Sequence, residues 1–212
     1  MNILKNKSNR RRFIKILGLS GIGAVTGGLL INTQDKPLHK ITWQGIALGA
    51  PSEITLYHYD RDEAQESLNK SIKKIAHLEN LFSLYKNNSQ LSILNREGEH
   101  NNPDREMIKL LNMSKKYSAL TEGSFDVTVQ PLWNLYNKSF NENNIAPKDE
   151  DINKVLELVN WKAIEINENK ISYLNKGMSS TLNGIAQGYI TDKITEILLD
   201  NGINNTLIQL GE

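Results

Sequence analysis

The pattern that most restricts the fold is a pair of strand-like segments followed at once by a long helical one. Residues 40–50 and 53–59 are rich in strand-forming residues, and we place the turn between them at Pro51 and Ser52. The helical spacing of apolar residues predicts an amphipathic helix over 61–84. The buried side of the strands is predicted to hold Trp43, Ile54 and Leu56, and Asp60 is predicted to cap the helix, whose apolar positions are Ala64, Leu68, Ile72, Ile75 and Phe82.

The rest of the chain continues this mixture of hairpins and helices. Pro103 is predicted at the first position of a helix that reaches residue 120. Further predicted elements are a short apolar segment at 127–136, an Asn-rich loop at 137–148, helices at 149–159 and 184–199, a hairpin of 162–166 with 170–174, and a strand at 206–210. Few helices lie between paired strands, which favours an α+β fold over a doubly wound sheet.

Residue types exclude several classes of site. The chain has no cysteine, which rules out disulfides, thiolate zinc sites and a cysteine nucleophile. Its four histidines are scattered and form no metal-binding motif. Six of the 25 Lys and Arg residues and no acidic residue lie in 1–33, so the remainder has 19 basic against 24 acidic residues, a net charge of −5. An acidic body without a basic stripe argues against nucleic acid as a partner.

The amino-terminal segment resembles a signal for export by the twin-arginine translocase. Asn9 is followed by Arg10, Arg11, Arg12 and Phe13, and a glycine-containing apolar run covers 16–31. We therefore divide the chain into a signal segment, 1–33, and a body, 34–212. The predicted location is periplasmic, or anchored in the membrane and facing the periplasm, because no Ala-x-Ala cleavage site precedes Asp35.

Three short stretches have the residue types of a binding site, and each also has a purely structural interpretation. In 123–133, a glycine turn precedes Asp126, which could face a ligand or simply cap the next helix. In 181–189, small residues lead into a helix whose free N–H groups favour a phosphate, although Gly184 and Gly188 could instead serve helix packing. In 43–50, small residues could admit a flat ligand.

Together these stretches resemble the ApbE family of FAD:protein FMN transferases. The similar segments are 43–50, 78–85 with 89–95, 123–136 and 178–192. The resemblance implies an ApbE-like fold and an enzyme that cleaves FAD with Mg²⁺, attaches FMN through a phosphoester to a Thr or Ser of an exported redox flavoprotein, and releases AMP. The similarity is greatest to exported members linked to the maturation of nitrous oxide reductase.

The resemblance also implies roles for individual residues, although it assigns no catalytic residue. FAD contacts are expected from Leu48, Tyr85, Ser124, Phe125, Asp126, Thr181 and Gln187, and a metal-ligating carbonyl is expected from Gly184. Three positions depart from the family pattern: Leu48 stands where Met is frequent, Thr181 where Asp is frequent and Gln187 where Lys is frequent. Loss of one acid and one base together leaves the local charge unchanged.

Family members continue beyond the position of Glu212, with an Asp and a Thr or Ser that complete their metal site. The resemblance therefore predicts a chain that is truncated at its carboxyl end and does not transfer FMN by itself, because magnesium needs several oxygen ligands. The alternative function is a flavin-binding accessory protein without catalysis.

Overall fold

The computed structural model describes residues 37–211. Twelve helices and strands follow one another in this part of the chain. In order they are β1 (His39–Ala47), β2 (Ala50–His58), α1 (Arg61–Phe82), α2 (Gln90–Glu97), β3 (Glu99–Asn101), α3 (Arg105–Leu120), α4 (Gln130–Asn143), α5 (Asp149–Leu156), β4 (Ile164–Ile166), β5 (Lys170–Tyr173), α6 (Ala186–Asp200) and β6 (Asn205–Gln209), with single 3₁₀ turns at Val127–Val129 and Trp161–Ala163.

The strands form two small antiparallel sheets. Each sheet joins parts of the chain that are separated in sequence by helices. The first sheet has the order β1-β2-β6, and the second has the order β3-β5-β4. The predicted α+β class is therefore confirmed. The predicted hairpin across residues 167–169 is also confirmed, because Ile166 pairs with Ile171 and Ile164 pairs with Tyr173.

The turn between β1 and β2 differs from the prediction. It lies at Leu48 and Gly49, so that Ala47 pairs with Ala50 and Ile46 pairs with Pro51. Both turn residues have positive φ, 54° for Leu48 and 80° for Gly49. Two-residue hairpin turns of this kind need positive φ at both positions, which the proline ring at the predicted site cannot adopt. Ile54 is nevertheless fully buried, as predicted.

Helix α1 is the central element of the hydrophobic core. Asp60 caps it as predicted, accepting hydrogen bonds from the N–H groups of Asp62 at 2.9 Å and Glu63 at 3.0 Å. Eight of its side chains are buried: Ala64, Ser67, Leu68, Ser71, Ile75, Leu78, Leu81 and Phe82. It packs against α6 and β1, and full burial of each large aliphatic side chain contributes about 1.5–3 kcal/mol.

A buried ionic cluster joins three helices beside this core. Glu106 of α3 accepts a hydrogen bond from Lys74 of α1 at 2.8 Å and another from the Tyr189 hydroxyl of α6. The Glu106 side chain is only 14% exposed. Burial alone would raise the pKa of this carboxyl, but the hydrogen bonds from Lys74 and Tyr189 outweigh it and the pKa is lowered.

Two helices, α2 and α3, lie between residues 90 and 120, where only one helix was predicted. Helix α3 begins at Arg105, and its cap is Asp104, which accepts a hydrogen bond from the Glu106 N–H at 2.7 Å. The predicted start at Pro103 was therefore wrong, since the aspartate supplies the acceptor that proline lacks. Helix α2 was not predicted. Ser89 caps its amino end, and Gly98 ends it with a φ of 78°.

Helix α4 covers the end of the predicted apolar segment 127–136 and the first half of the predicted loop 137–148. The helix runs from Gln130 to Asn143, with Pro131 in its first turn and Asn144 ending it at positive φ. The Asn-rich composition of 137–148 was misleading, because asparagine is tolerated on an exposed helix surface. None of the described side chains of α4 is buried. Its main helical neighbour, α5, ends at Leu156 rather than at residue 159 and buries none either.

Two predicted elements near the carboxyl end are shifted by one or two residues. Helix α6 begins at Ala186 instead of Gly184, and β6 covers Asn205–Gln209. Strand β6 pairs with β2 through Ile54 and Ile208 and lies at one edge of its sheet. Within residues 37–211, no helix has the length and apolarity needed to cross a bilayer. The predicted signal segment lies outside the described residues.

Candidate functional site

A cleft of about 840 Å³ is bounded by α2 and α4. Such a volume lies in the range of small-molecule sites. Four parts of the chain line it: the segment after α1, helix α2, the start of α4, and the loop before α6. The lining residues are Leu84, Tyr85, Asn87, Ser92, Asn95, Arg96, Val129, Gln130, Trp133, Asn134, Asn137, Ser179, Thr181 and Asn183.

The cleft combines aromatic faces with one guanidinium group. Tyr85 is 87% exposed and Trp133 is 62% exposed, so both rings are available for stacking. Arg96 donates to the Glu97 carboxylate at 2.7 Å and to the Asn87 carbonyl at 3.1 Å. An arginine has five N–H donors, and these two contacts leave others for a ligand. Aromatic faces, amide side chains and an arginine together suit a flat heteroaromatic ring joined to a phosphate.

Two of the predicted site residues line this cleft, namely Tyr85 and Thr181. The Thr181 N–H donates to the Val127 carbonyl at 2.8 Å, which ties the loop before α6 to the segment that follows Asp126. The Thr181 side chain accepts a hydrogen bond from the Asn183 N–H at 3.3 Å. The cleft thus contains a hydroxyl at the position where the family pattern has a frequent carboxylate.

Asp126 stabilises the segment beside the cleft through three hydrogen bonds. One carboxylate oxygen accepts from the Thr128 N–H at 2.8 Å and from the Thr128 hydroxyl at 2.7 Å. The other accepts from the Trp161 N–H at 3.0 Å. The capping interpretation of this residue is confirmed, since Asp126 is the cap of the 3₁₀ turn Val127–Val129. Its predicted contact with a nucleotide stays a prediction.

The other predicted residues of this segment lie near the start of α6. A Cβ atom placed on Gly184 would lie 3.6 Å from Cε2 of Phe125, so the ring of Phe125 packs over this glycine. Ser124 is exposed, and its N–H donates to the Thr121 carbonyl at 3.0 Å. The structure therefore brings Phe125 and Gly184 together, although neither is among the residues that line the cleft.

Leu48 and Gln187 meet at Gly211. The Leu48 N–H donates to the Glu79 carboxylate, and the Gln187 side chain donates to the Leu210 carbonyl. A Cβ atom on Gly211 would lie 3.3 Å from Cβ of Leu48 and 3.8 Å from Nε2 of Gln187. These two predicted contacts are thus neighbours in space, and they too lie outside the lining of the cleft.

The sequence analysis did not assign roles to Asn95, Arg96 and Trp133, which line the cleft. A usable signal was present for the first two. Ser89 and Gly98 are a typical start and end of a helix, and residues three and four apart within it share one face. This spacing places Ser92, Asn95 and Arg96 together on the side of α2 that faces the cleft.

The described residues do not supply a carboxylate-rich metal site. Within residues 37–211, no three or more His, Asp or Glu side chains are grouped so that they could hold a metal ion. Gly184, the predicted ligand, offers one backbone carbonyl, whereas magnesium is usually bound through one or two carboxylates and several waters. The fit between these residues and a magnesium ion is therefore poor.

Comparison with known protein families gives a match over most of the chain. Residues 48–212 match the model of the ApbE family. A protein of Klebsiella pneumoniae named FAD:protein FMN transferase is 27% identical over 174 residues, which cover 80% of this chain and 54% of that protein. One of the same name from Vibrio cholerae is 24% identical over 192 residues, covering 89% of this chain and 58% of that protein.

Solved structures support the same fold. The flavin transferase ApbE from Vibrio cholerae superposes with a TM-score of 0.70 at 22% identity, covering 82% of this chain and 58% of that one. The apo form of the flavinyl transferase ApbE from Pseudomonas stutzeri gives a TM-score of 0.72 at 19% identity, covering 82% and 59%. The chain thus spans a little over half the length of these relatives. The extent of the family match shows that the chain belongs to the ApbE family.

Proposed function

We propose that this chain binds FAD and provides the flavin-binding part of an FAD:protein FMN transferase. The observation that carries the proposal is a cleft whose lining includes residues that the family resemblance assigns to FAD binding. The resemblance assigns FAD contacts to Tyr85 and Thr181, and both residues line one cleft that also contains Trp133 and Arg96. Two relatives with substantial coverage are named for this activity.

In this proposal the cleft receives one aromatic ring system of FAD against Tyr85 or Trp133. Arg96 binds an oxygen of the pyrophosphate, because a guanidinium recognises phosphate through charge-assisted hydrogen bonds. Thr181 donates or accepts a hydrogen bond on the same nucleotide. The remaining predicted contacts, from Leu48, Ser124, Phe125, Asp126 and Gln187, are outside the lining and would reach parts of FAD that extend beyond the cleft.

The proposed reaction is a phosphoryl transfer. The hydroxyl oxygen of a Thr or Ser on an acceptor protein attacks the phosphorus on the FMN side of the pyrophosphate. The bond from that phosphorus to the bridging oxygen breaks, AMP leaves, and the hydroxyl proton is lost to a base. Magnesium, the metal expected from the resemblance, would neutralise charge on the pyrophosphate. Since the described residues offer it only the Gly184 carbonyl, we assign no step to the metal and no residue as the base.

The first test measures FAD binding by the full chain with isothermal titration calorimetry. Tyr85→Ala is expected to weaken binding about 5- to 150-fold, because one ring contact is worth roughly 1–3 kcal/mol. The matched control is Tyr59→Ala, since Tyr59 is also exposed, at 59%, but is not among the residues that line the cleft. Equal affinity of the parent and Tyr85→Ala would contradict the assignment of the cleft.

The second measurement asks whether this chain transfers FMN by itself, which the sequence analysis does not expect. The full chain is incubated with FAD, Mg²⁺ and an exported flavoprotein domain that carries a Thr or Ser acceptor site. Mass spectrometry then reports whether the acceptor gains the mass of FMN. Adduct formation would contradict that expectation and exclude the alternative, a flavin-binding protein without catalysis, whereas FAD binding without an adduct agrees with both.

We further propose that residues 1–33 direct the body, 34–212, across the cytoplasmic membrane by the twin-arginine route. The support is the sequence of paired arginines, an adjacent phenylalanine and a moderately apolar run. Replacement of Arg10 and Arg11 by Lys is expected to retain the protein in the cytoplasm, as measured by cell fractionation. Unchanged delivery of the double variant to the periplasmic face would rule out this route.

A further inference from the structure

One asparagine side chain satisfies the backbone of the loop that forms a wall of the cleft. Asn95 of α2 donates from Nδ2 to the Ser180 carbonyl at 2.8 Å, and its Oδ1 accepts from the Ser180 N–H at 2.7 Å. The two residues are 85 positions apart in sequence. A single amide thus completes both hydrogen bonds that a neighbouring strand would otherwise provide, at Ser180, which is fully buried.

A tyrosine of β5 adds a third hydrogen bond to this amide. The Tyr173 hydroxyl donates to Oδ1 of Asn95 at 2.7 Å. Burial raises the pKa of Tyr173, so the hydroxyl keeps its proton near neutral pH. In the reverse orientation the amide NH2 would face the Ser180 N–H and the amide oxygen would face the Ser180 carbonyl, so the Ser180 backbone fixes which way the amide points.

The loop held in this way contributes three residues to the cleft. Residues 179–183 provide Ser179, Thr181 and Asn183 to its lining, and Asn95 lines it as well. The loop has a second attachment, from the Thr181 N–H to the Val127 carbonyl at 2.8 Å. Because the adjacent Thr181 stays attached, loss of the Asn95 contacts would loosen the loop at Ser180 and shift the wall without unfolding the core.

We propose that Asn95 is a positioning residue, which holds residues 179–183 in the conformation that receives the nucleotide. The identity of the nucleotide rests on the proposed function, whereas the role of Asn95 in ordering the loop does not. Its contribution to binding acts through the Ser180 backbone, which also sets the orientation of the amide.

Replacement of Asn95 by Asp should make FAD binding depend on pH. The ionised carboxylate still accepts from Ser180 and Tyr173, but its second oxygen faces the Ser180 carbonyl and repels it. When the carboxyl is protonated, it again provides one donor and one acceptor with nearly the shape of the amide. Burial and the Ser180 carbonyl oppose the charge of the introduced group, whereas the donors on Ser180 and Tyr173 favour it, and protonation restores the hydrogen-bonding pattern of the amide.

The experiment measures FAD affinity of the full chain with Asn95→Asp between pH 8 and pH 5. Relative to the parent at each pH, we expect binding about 10- to 100-fold weaker at pH 8 and a return toward the parent value as the pH falls. Asn112→Asp is the matched control for charge, since Asn112 is exposed on α3 and is not among the residues that line the cleft. Ser180→Ala is the control for packing, because the Ser180 hydroxyl is buried without a hydrogen-bond partner. Both controls are expected to bind FAD within about 5-fold of the parent.

Hydrogen exchange of residues 179–183 provides a readout that needs no ligand. At pH 8, Asn95→Asp should exchange these amides at least about 10-fold faster than the parent, and the excess should disappear at low pH. Tyr173→Phe, which removes one donor but no carbonyl partner, should give a smaller increase at every pH.

Unchanged exchange and affinity in Asn95→Asp, or a loss of affinity that is independent of pH, would overturn the positioning role. A loss of the same size and pH dependence in Asn112→Asp would do so as well. If the parent fails to bind FAD, the proposed function fails, and the exchange measurement still decides the role of Asn95.

Discussion

Helices α1 and α4 have similar amphipathic sequences but opposite relations to the core. Helix α1 buries eight of its 22 residues, whereas α4 buries none of its described side chains over 14 residues. Most helical stability in proteins comes from packing of an apolar face. The apolar face of α1 is used for folding, while that of α4 leaves Trp133 and Phe140 exposed at 62% and 47% beside the cleft. The comparison separates residues that maintain the fold from residues available to bind a ligand.

The largest effect is expected on the α1 side of this comparison. Leu78 is fully buried, and Leu78→Ala removes its contacts and leaves a cavity that the core fills only partly. We expect the free energy of unfolding to fall by about 2–5 kcal/mol, measured by urea denaturation. A loss under about 1 kcal/mol would show that α1 is packed much more loosely than its burial indicates.

An intermediate effect is expected from Glu106, which connects α3 to α1 and α6. Glu106→Gln leaves Lys74 without its charged partner and should reduce stability at pH 7 by about 1–3 kcal/mol. Because the pKa of Glu106 is lowered in the folded protein, its contribution is present above the unfolded pKa of about 4.3 and is lost as the pH falls through the folded value.

The measurement for Glu106 is the free energy of unfolding from pH 7 to pH 3. The parent should lose stability more steeply over the acidic range than Glu106→Gln does. Glu66→Gln is the control, because Glu66 forms only an exposed pair with Lys70, and its pH profile should follow that of the parent. Parallel profiles for Glu106→Gln and the parent would contradict the assigned role.

The smallest effect on stability, with a separate effect on binding, is expected on α4. Trp133→Ala should change the free energy of unfolding by less than about 0.5 kcal/mol, because the ring is largely exposed. The same variant should weaken FAD binding about 5-fold or more if the ring stacks on the ligand. Phe140→Ala, on the same helix but not in the cleft lining, should bind FAD like the parent. Equal losses of affinity in both variants would place the ligand elsewhere on α4.

Local signals predicted much of the framework. Asp60 as a cap and the hairpin across residues 167–169 depend on neighbouring residues alone, and both are as predicted. The turn at Leu48 was missed because a leucine at positive φ is rare. Here the Glu79 carboxylate of α1 accepts a hydrogen bond from the Leu48 N–H. Contacts between distant parts of the chain thus determined the structure at positions where the local sequence preference was weak.

The candidate site could be predicted only in part. Tyr85 and Thr181 were placed at the site through the family resemblance, and the cleft lining contains both. The pairing of Asn95 with Ser180 joins residues 85 positions apart, so no local pattern could indicate it. Trp133 lies at the end of the stretch 123–133 that was predicted as a possible binding site, but it received no role of its own because the sequence does not show that α4 lies on the surface.

The position of β2 between β1 and β6 has a consequence for the order in which the protein is made. Strand β1 is available to pair with β2 immediately, but β6 is synthesised much later, and the Ser52 hydroxyl accepts a hydrogen bond from Gly211, 159 residues further on. At usual rates of translation, the ribosome needs roughly 10–30 s to add that many residues. During this time the second edge of β2 has no partner, which makes it the place where a nascent chain is most open to chaperones or to association with another chain.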